Sequence, residues 1–442
     1  MSRRWSAAAV SEALGVPVPG TGFDSISIDT RTLTAGALFV ALTGERFDGH
    51  DHLAAAKRAG AAAAVVRRGT GAADGLPLVE VDDPLAAFGL LARARRREIR
   101  GPVIAITGSN GKTSTKEFLA AVLGTSYRVH ATAQNLNNLV GVPQTILAAP
   151  PEADALVIEA GASVPGELAR ARAIIEPTVV VITNVAPSHL EGFGSVAGIL
   201  AEKLSLAAGA PLAVVGTEPP ALAVGANQAA ARVLVVPPPA ATLDVTGCAS
   251  FAVDGLVVAL SVRGLQQAGN AMFAWTVGQE LGLAPALMAA ALARAVLPGG
   301  RGDVLQHGKL TVLDDSYNAN PASFLAAIAT AQAMRAGRRL VFVAGTMKEL
   351  GEGSAAFHRD VAAALVALRP DLLAAEGEFV PALEAHRAAL GDTLLTAPDA
   401  PALGALLRGR LRGDELVVLK ASRGAALERI LPYLGLTPAT SH

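Results

Sequence analysis

Residues 103–123 constrain this chain more than any other stretch. An unbroken apolar run, Val103 to Ile106, feeds the octet Thr107-Gly108-Ser109-Asn110-Gly111-Lys112-Thr113-Ser114, and a helical pattern follows from Thr115 to Leu123. Strand, glycine-rich loop and helix in that order form a cradle for phosphate, because amides at a helix start point at the ligand and glycine lets them approach closely. Gly108 and Gly111 give the approach, Lys112 a charge for the outer phosphates, and Thr113 a hydroxyl for magnesium at the positive helix end. Ile106 stands where strict Walker spacing has its first glycine, so the loop is a variant of that motif. The expectation is an ATP site made by Gly108, Ser109, Asn110, Gly111, Lys112, Thr113 and Ser114. A strand-to-helix turn with an incidental lysine is the plain alternative.

A chain of 442 residues with 51% hydrophobic content exceeds what one core organises, and three domains are expected. Before residue 100, Ile26 and Ile28, Leu38 to Leu42, His52 to Gly60 and Ala61 to Val66 read as strand, strand, helix and strand. Gly101 and Pro102 then make a hinge. From 101 to 300, short β-branched runs such as Val179 to Thr183 alternate with Ala/Leu-rich helices, the pattern of a parallel sheet. Pro298 to Gly302 mark a second boundary, and Leu310 to Leu313, Leu340 to Ala344 and Leu416 to Leu419 give a Rossmann-like third unit. The fold class is therefore α/β in three domains, 1–100, 101–300 and 301–442, with a P-loop ATPase in the middle. Pro211 to Pro239 shows little beyond one strand and loops.

With 37 basic and 38 acidic residues the net charge is -1, which gives no bulk attraction to nucleic acid or anionic lipid. Cys248 is the single cysteine, which excludes a Cys-rich zinc site and suits a reducing cytoplasm. The N-terminus lacks the apolar region of a signal peptide, and no apolar run is long enough to span a bilayer. A cytoplasmic protein without membrane insertion is expected.

Glu159 ends the strand Leu156 to Ile158, where a carboxylate meets hard Mg2+ beside a nucleotide. His189 lies on the loop after Val179 to Thr183, at the same sheet edge. Lys203, on a helix beginning near Ser195, reads by itself as an ordinary surface lysine.

The octet at 107–114, the string Gln134-Asn135-Leu136-Asn137-Asn138-Leu139-Val140-Gly141-Val142-Pro143 and Asp314-Asp315-Ser316-Tyr317-Asn318-Ala319-Asn320-Pro321 together resemble the Mur ligase family. Ser27-Ile28-Asp29-Thr30-Arg31, Phe47-Asp48-Gly49-His50, Gly345 to Gly351 and Lys420-Ala421-Ser422-Arg423 extend the resemblance over nearly the whole chain. It implies an ATP-dependent carboxylate-amine ligase of peptidoglycan precursor synthesis, joining D-alanyl-D-alanine to UDP-N-acetylmuramoyl-tripeptide through an acyl phosphate. It also implies a first domain for the uridine nucleotide, with Ser27, Asp29, Thr30, Arg31, Arg46, Asp48 and His50 as candidates, and Asn135, Asn137 and Asn138 toward the peptide or phosphate. Two magnesium ions are implied, one on Thr113 and Glu159, the other on His189 and a carbamylated Lys203. Lys112, His189 and Lys203 are then the catalytic groups, and Asn270, Arg301, Asp315 and Asn318 the remaining nucleotide contacts. Arg301 reads equally well as a hinge arginine in a salt bridge.

The sequence departs from the family pattern at three places. Gln266 and Gln267 replace the usual histidine and asparagine, so an adenine contact carries over to Asn270 alone; Thr346 stands where aspartate is common and Ala421 where glycine is common. Two other readings stay open: a sister ligase adding a single amino acid, and a nucleotide-gated binding protein without ligation. A monomer is expected.

Overall fold

The computed structural model describes residues 5–45, 47–71, 75–188 and 190–437. Its centre is a six-stranded parallel sheet in the order Val233–Val236, Leu212–Gly216, Val179–Ile182, Val103–Thr107, Ala155–Glu159 and Val129–Ala131. Side chains alternate across a strand. Ile104 and Ile106 therefore enter one core with Phe118, Leu119 and Trp275, while Val103 and Ala105 enter the other with Ile146, Ile158 and Ile199. Burial on both faces explains why these strands are apolar without interruption. Val103–Thr107 has neighbours on both sides that come later in the chain, so the crevice for a ligand opens at its carboxyl end, where the glycine-rich loop begins.

The helix of that loop spans Lys112–Leu123, starting three residues earlier than the pattern at Thr115 indicated, because Gly111 at φ 79° serves as its N-cap. A second helix, Gln266–Glu280, packs along it, with Gly278 lying against Val122 and Met288. Pro211 to Pro239 departs from expectation. It forms strand Leu212–Gly216, helix Pro220–Ala229 and strand Val233–Val236, so the prolines punctuate the elements instead of abolishing them. An antiparallel sheet of Ala241–Leu243, Cys248–Val253 and Leu256–Arg263 also interrupts the parallel pattern expected for 101–300.

The N-terminal unit is a four-stranded parallel sheet, Ile26–Ser27, Leu38–Val40, Ala63–Arg67 and Leu78–Val81, in chain order. Helix Pro84–Arg96 leads out of it, started by Asp83, whose carboxylate accepts from the amides of Leu85 and Ala86. Arg96 in turn donates to the carbonyls of Ile175 and Glu176, fastening this helix to the central domain.

In the C-terminal unit the order is Asp303–His307, Leu310–Asp315, Leu416–Lys420, Leu340–Ala344, Leu372–Glu376 and Leu394–Ala397, all parallel except the first. Its carboxyl edge carries Asp315, Lys420, Glu376 and the loops that follow them. Helix Pro321–Arg335 begins there with a capping box between Asn320 and Ser323. No described helix is long and apolar enough to cross a membrane.

Candidate active site

At the carboxyl end of the central sheet, Gly111 leaves room for a neighbour that any other residue would exclude: a Cβ there would collide with Oδ1 of Asn270. Helix Gln266–Glu280 thus brings Asn270 onto the glycine-rich loop. Gln267, whose Oε1 accepts from Asn270 Nδ2 at 3.0 Å, orients that amide. Gly108 is equally confined, its missing side chain giving way to the Thr183 hydroxyl.

Not every amide of the loop is free for a phosphate. Ser109 N donates to Asn184 O at 3.0 Å and Asn110 N to Asn184 Oδ1 at 3.0 Å. The Ser109 hydroxyl bonds the Ala186 carbonyl at 2.8 Å and meets Ser188 at 3.1 Å. Ser109 and Asn110 therefore shape the loop, and the first-turn amides of Lys112–Leu123, which have no helical acceptor, are the ones left to face an anion. Lys112 folds back, its ammonium donating to Gly108 O at 2.8 Å. Burial lowers its pKa; Glu159 opposes the shift and Arg301 adds to it.

Glu159 is 3% exposed and fully engaged. Thr113 Oγ1 donates to its Oε2 at 2.9 Å, Asn137 Nδ2 to its Oε1 at 2.9 Å, and its own amide to Thr132 Oγ1 at 2.9 Å. A carboxylate beside a hydroxyl, next to phosphate-binding amides, is an all-oxygen donor set of the kind magnesium takes when most of its shell is phosphate and water. The sequence placed Asn137 toward substrate; here it braces Glu159. Asn138 instead folds locally, accepting from the amides of Val140 and Gly141, and Asn135 is exposed.

Ser195 caps helix Val196–Ala207, which carries Lys203 inward to 7% exposure. Burial, reinforced by the Lys112 ammonium and opposed by Glu202, brings the Lys203 amine down to about 7. The surface reading of this lysine is thereby corrected: the helix turns it toward the loop. Glu202 is committed elsewhere, accepting from the amides of Gly166 and Leu168 at 2.7 Å each. His189 lies outside the described residues, as does Arg46.

The C-terminal sheet edge closes over this centre. Asn320 Nδ2 donates to Asn110 Oδ1. Leu190 N donates to Glu349 O at 3.2 Å. Arg301 stacks on Tyr317, its guanidinium carbon 3.9 Å from the ring centroid, with Arg423 at 5.8 Å. The Arg301 charge is felt at both Lys112 and Asp315, so it faces the loop. Asp315 pairs with Lys420 at 2.7 Å, and Lys420 also donates to the Asn318 carbonyl at 2.8 Å. Burial raises Asp315, with Lys420 and Arg301 opposing. The Asn318 side chain accepts from Ala319 N, a local turn.

At the carboxyl edge of the N-terminal sheet, Arg31 grips Asp29 through both carboxylate oxygens, at 2.9 and 2.6 Å, which holds Asp29 at about 2. The Ser27 hydroxyl donates to the Asp29 carbonyl and accepts from the Asp29 amide, and Thr30 in the same turn is half-buried. Asp48 accepts from the His50 amide and ring, which brings it to about 2 as well. His50 Nε2 accepts from Arg67 N at 3.0 Å, so its Nδ1 carries the proton given to Asp48.

Several residues at these contacts were not assigned from sequence, among them Thr183 and Asn184 under the loop, Thr132 and Gln267 behind Glu159 and Asn270, and Asn320 and Lys420 across the closure. Asn320 and Lys420 stand in the family-like stretches 314–321 and 420–423, and the N-cap pattern Asn-Pro marks Asn320. Asn184 carries no local signal.

Comparison with known proteins gives matches to three family models. The Mur ligase family catalytic domain matches residues 23–96, the Mur ligase middle domain 106–277, and the Mur ligase glutamate ligase domain 300–423. The chain is 35% identical over 430 residues to the UDP-N-acetylmuramoyl-tripeptide--D-alanyl-D-alanine ligase of Escherichia coli, covering 93% of each, and 32% identical over 432 residues to that of Bacillus subtilis, covering 95% of this chain and 94% of the relative. Its fold is similar to the crystal structure of MurF from Acinetobacter baumannii, with TM-score 0.88 and 28% identity over 98% of this chain and 99% of that one. The MurF ligase of Thermotoga maritima in complex with ADP gives TM-score 0.82 and 29% identity over 93% and 96%.

Proposed function

The chain belongs to the Mur ligase family, and from that premise we propose how its residues join D-alanyl-D-alanine to UDP-N-acetylmuramoyl-tripeptide in an ATP-dependent reaction. The relatives that share this whole-chain similarity bear that activity in their names, and one similar structure holds ADP. The observation that carries the reading is the Thr113–Glu159–Asn137 arrangement, which puts a buried carboxylate between the phosphate helix and the asparagine loop.

In this reading the first-turn amides of Lys112–Leu123 and the Lys112 ammonium orient the β- and γ-phosphates. The terminal carboxylate of the tripeptide attacks the γ-phosphorus in line, giving an acyl phosphate and ADP. The neutral amine of the dipeptide then attacks the acyl carbon, and phosphate leaves. Lys112 and Arg301 place positive charge where negative charge grows, and no covalent protein nucleophile is required. Asn270 takes the adenine side of the loop, while Asp29, Arg31, Asp48 and His50 take the uridine end; Ser27, Thr30 and Arg46 belong with them. The domain division at 100 and 300 assigns one sheet edge to each ligand, and a single chain supplies every group.

Thr113 and Glu159 are suited to hold one magnesium ion, and Lys203 with His189 the second. Bound there, magnesium would offset phosphate charge during transfer. A lysine amine near 7 is about half in its neutral, nucleophilic form at pH 7, which suits addition of carbon dioxide, and the resulting carbamate would turn a repelling group into an oxygen ligand.

The test is isotopic. Tripeptide precursor labelled with 18O in its terminal carboxylate should deliver one labelled oxygen to the released phosphate. Unlabelled phosphate would contradict an acyl-phosphate route and favour a nucleotide-gated protein that hydrolyses ATP without ligation.

A further inference from the structure

Lys116 is one of the largest fully buried side chains in the molecule, 1% exposed, on the inward face of helix Lys112–Leu123 with Leu119, Val122 and Leu123. An ammonium is costly to remove from water, and a methionine of similar volume would fill this place without that cost. Packing therefore does not account for the charge. Its partners do: Lys116 Nζ donates to the Thr132 carbonyl at 2.6 Å and lies 2.9 Å from Glu117 Oε1.

Thr132 is a junction. Its amide donates to Val157 O at 3.0 Å, its hydroxyl accepts from Glu159 N at 2.9 Å, and its carbonyl receives Lys116. Beyond it the asparagine loop leaves the sheet and returns at Asn137, which donates to Glu159 Oε1 and receives Gly161 N at 2.8 Å. Glu159 then meets Thr113, three residues before Lys116 on the same helix. The contacts close a ring that begins and ends on one helical turn.

We propose that Lys116 is a positioning residue that ties the root of the asparagine loop to the phosphate helix and so fixes where Glu159 and Asn137 stand. The inference rests on the reading of Glu159 as a metal ligand. Its action runs through Thr132, and Lys116 itself touches neither substrate nor phosphate. Loss of the strut leaves the phosphate loop intact but lets the carboxylate and asparagine drift, and small misplacements of such groups reduce turnover steeply.

Lys116→Met and Thr132→Val are the test, with steady-state kinetics for each substrate and thermal melting. Thr132→Val keeps the carbonyl and removes the acceptor for Glu159 N. Both should melt within a few degrees of the parent, keep KM for ATP within about twofold, and raise KM for the tripeptide precursor while lowering kcat, each by about tenfold. The double variant should be little worse than the poorer single one, as members of one network behave. Wild-type kinetics in a folded Lys116→Met, or an equal rise in both KM values, overturns the proposal. So does an unfolded Lys116→Met beside a kinetically normal Thr132→Val, which would make the lysine structural only. Glu159→Gln run in parallel separates the two failures: full activity there removes the metal assignment, whereas a defective Glu159→Gln beside normal strut variants removes only the strut.

Discussion

Asn320 donates its side-chain amide to Oδ1 of Asn110, so a residue 210 positions away in the chain reaches the phosphate loop from the C-terminal domain. The same Asn320 caps helix Pro321–Arg335. One residue thus starts a helix of the last domain and touches the nucleotide loop of the middle one, which makes closure and loop geometry mechanically continuous. Serine caps a helix as well as asparagine does but is too short to reach Asn110. Asn320→Ser should therefore melt within about 2 °C of the parent and lose about tenfold in kcat/KM for ATP, read by coupled assay and calorimetry.

Lys112 supplies charge to the outer phosphates while folded back on the Gly108 carbonyl. Lys112→Met preserves the stem and removes the charge. A loss of about 10²–10³ in kcat is expected with an unchanged melting curve. Undiminished turnover would remove the loop from the chemistry.

Much of the fold was legible because its signals are local. The parallel strands are short apolar runs, the phosphate loop is contiguous, and Glu159 and Asp315 end strands whose carboxyl ends form the crevice. What escaped is long-range. Asn110 and Asn320 meet only because two sheets face each other, and nothing near Asn184 indicates that it engages two amides of the loop. Lys116 had a faint signal, a lysine on the same helical stripe as Leu119 and Leu123, but such a lysine ordinarily snorkels. Lys203 was read by itself as that ordinary case and is in fact buried. The antiparallel strands at 241–263 were hidden by their position inside a stretch dominated by the parallel pattern.

The proposed carbamate on Lys203 would make activity depend on dissolved carbon dioxide. Enzyme assayed in carbon dioxide-depleted buffer should lose most of its turnover and regain it with bicarbonate, and 13C-bicarbonate should give a carbamate resonance. Lys203→Arg should be weaker by about 10²-fold and indifferent to bicarbonate. Full activity of the wild type without carbon dioxide would exclude the carbamate.

The pH dependence of stability has a clear local source in Glu415. Its side chain is fully buried beside Arg339, which donates at 2.8 Å, and it accepts the amides of Arg412, Gly413 and Asp414 at 2.7, 2.9 and 3.1 Å. Burial alone would raise its pKa, but these donors outweigh burial and hold it below its ordinary value of 4.5. A depressed carboxyl stabilises the fold above its unfolded pKa, and that stability is lost as pH falls through the folded value. Glu415→Gln should cost about 3 kcal/mol at pH 7, and its deficit should shrink progressively below pH about 4.5 in denaturant titrations.

Ligation of the dipeptide is read directly by mass spectrometry of the reaction mixture. Purified protein with ATP, magnesium and UDP-N-acetylmuramoyl-tripeptide should yield the UDP-N-acetylmuramoyl-pentapeptide only when D-alanyl-D-alanine is present, with one phosphate released per product. A product carrying a single added amino acid, or phosphate release without any joined product, would contradict it.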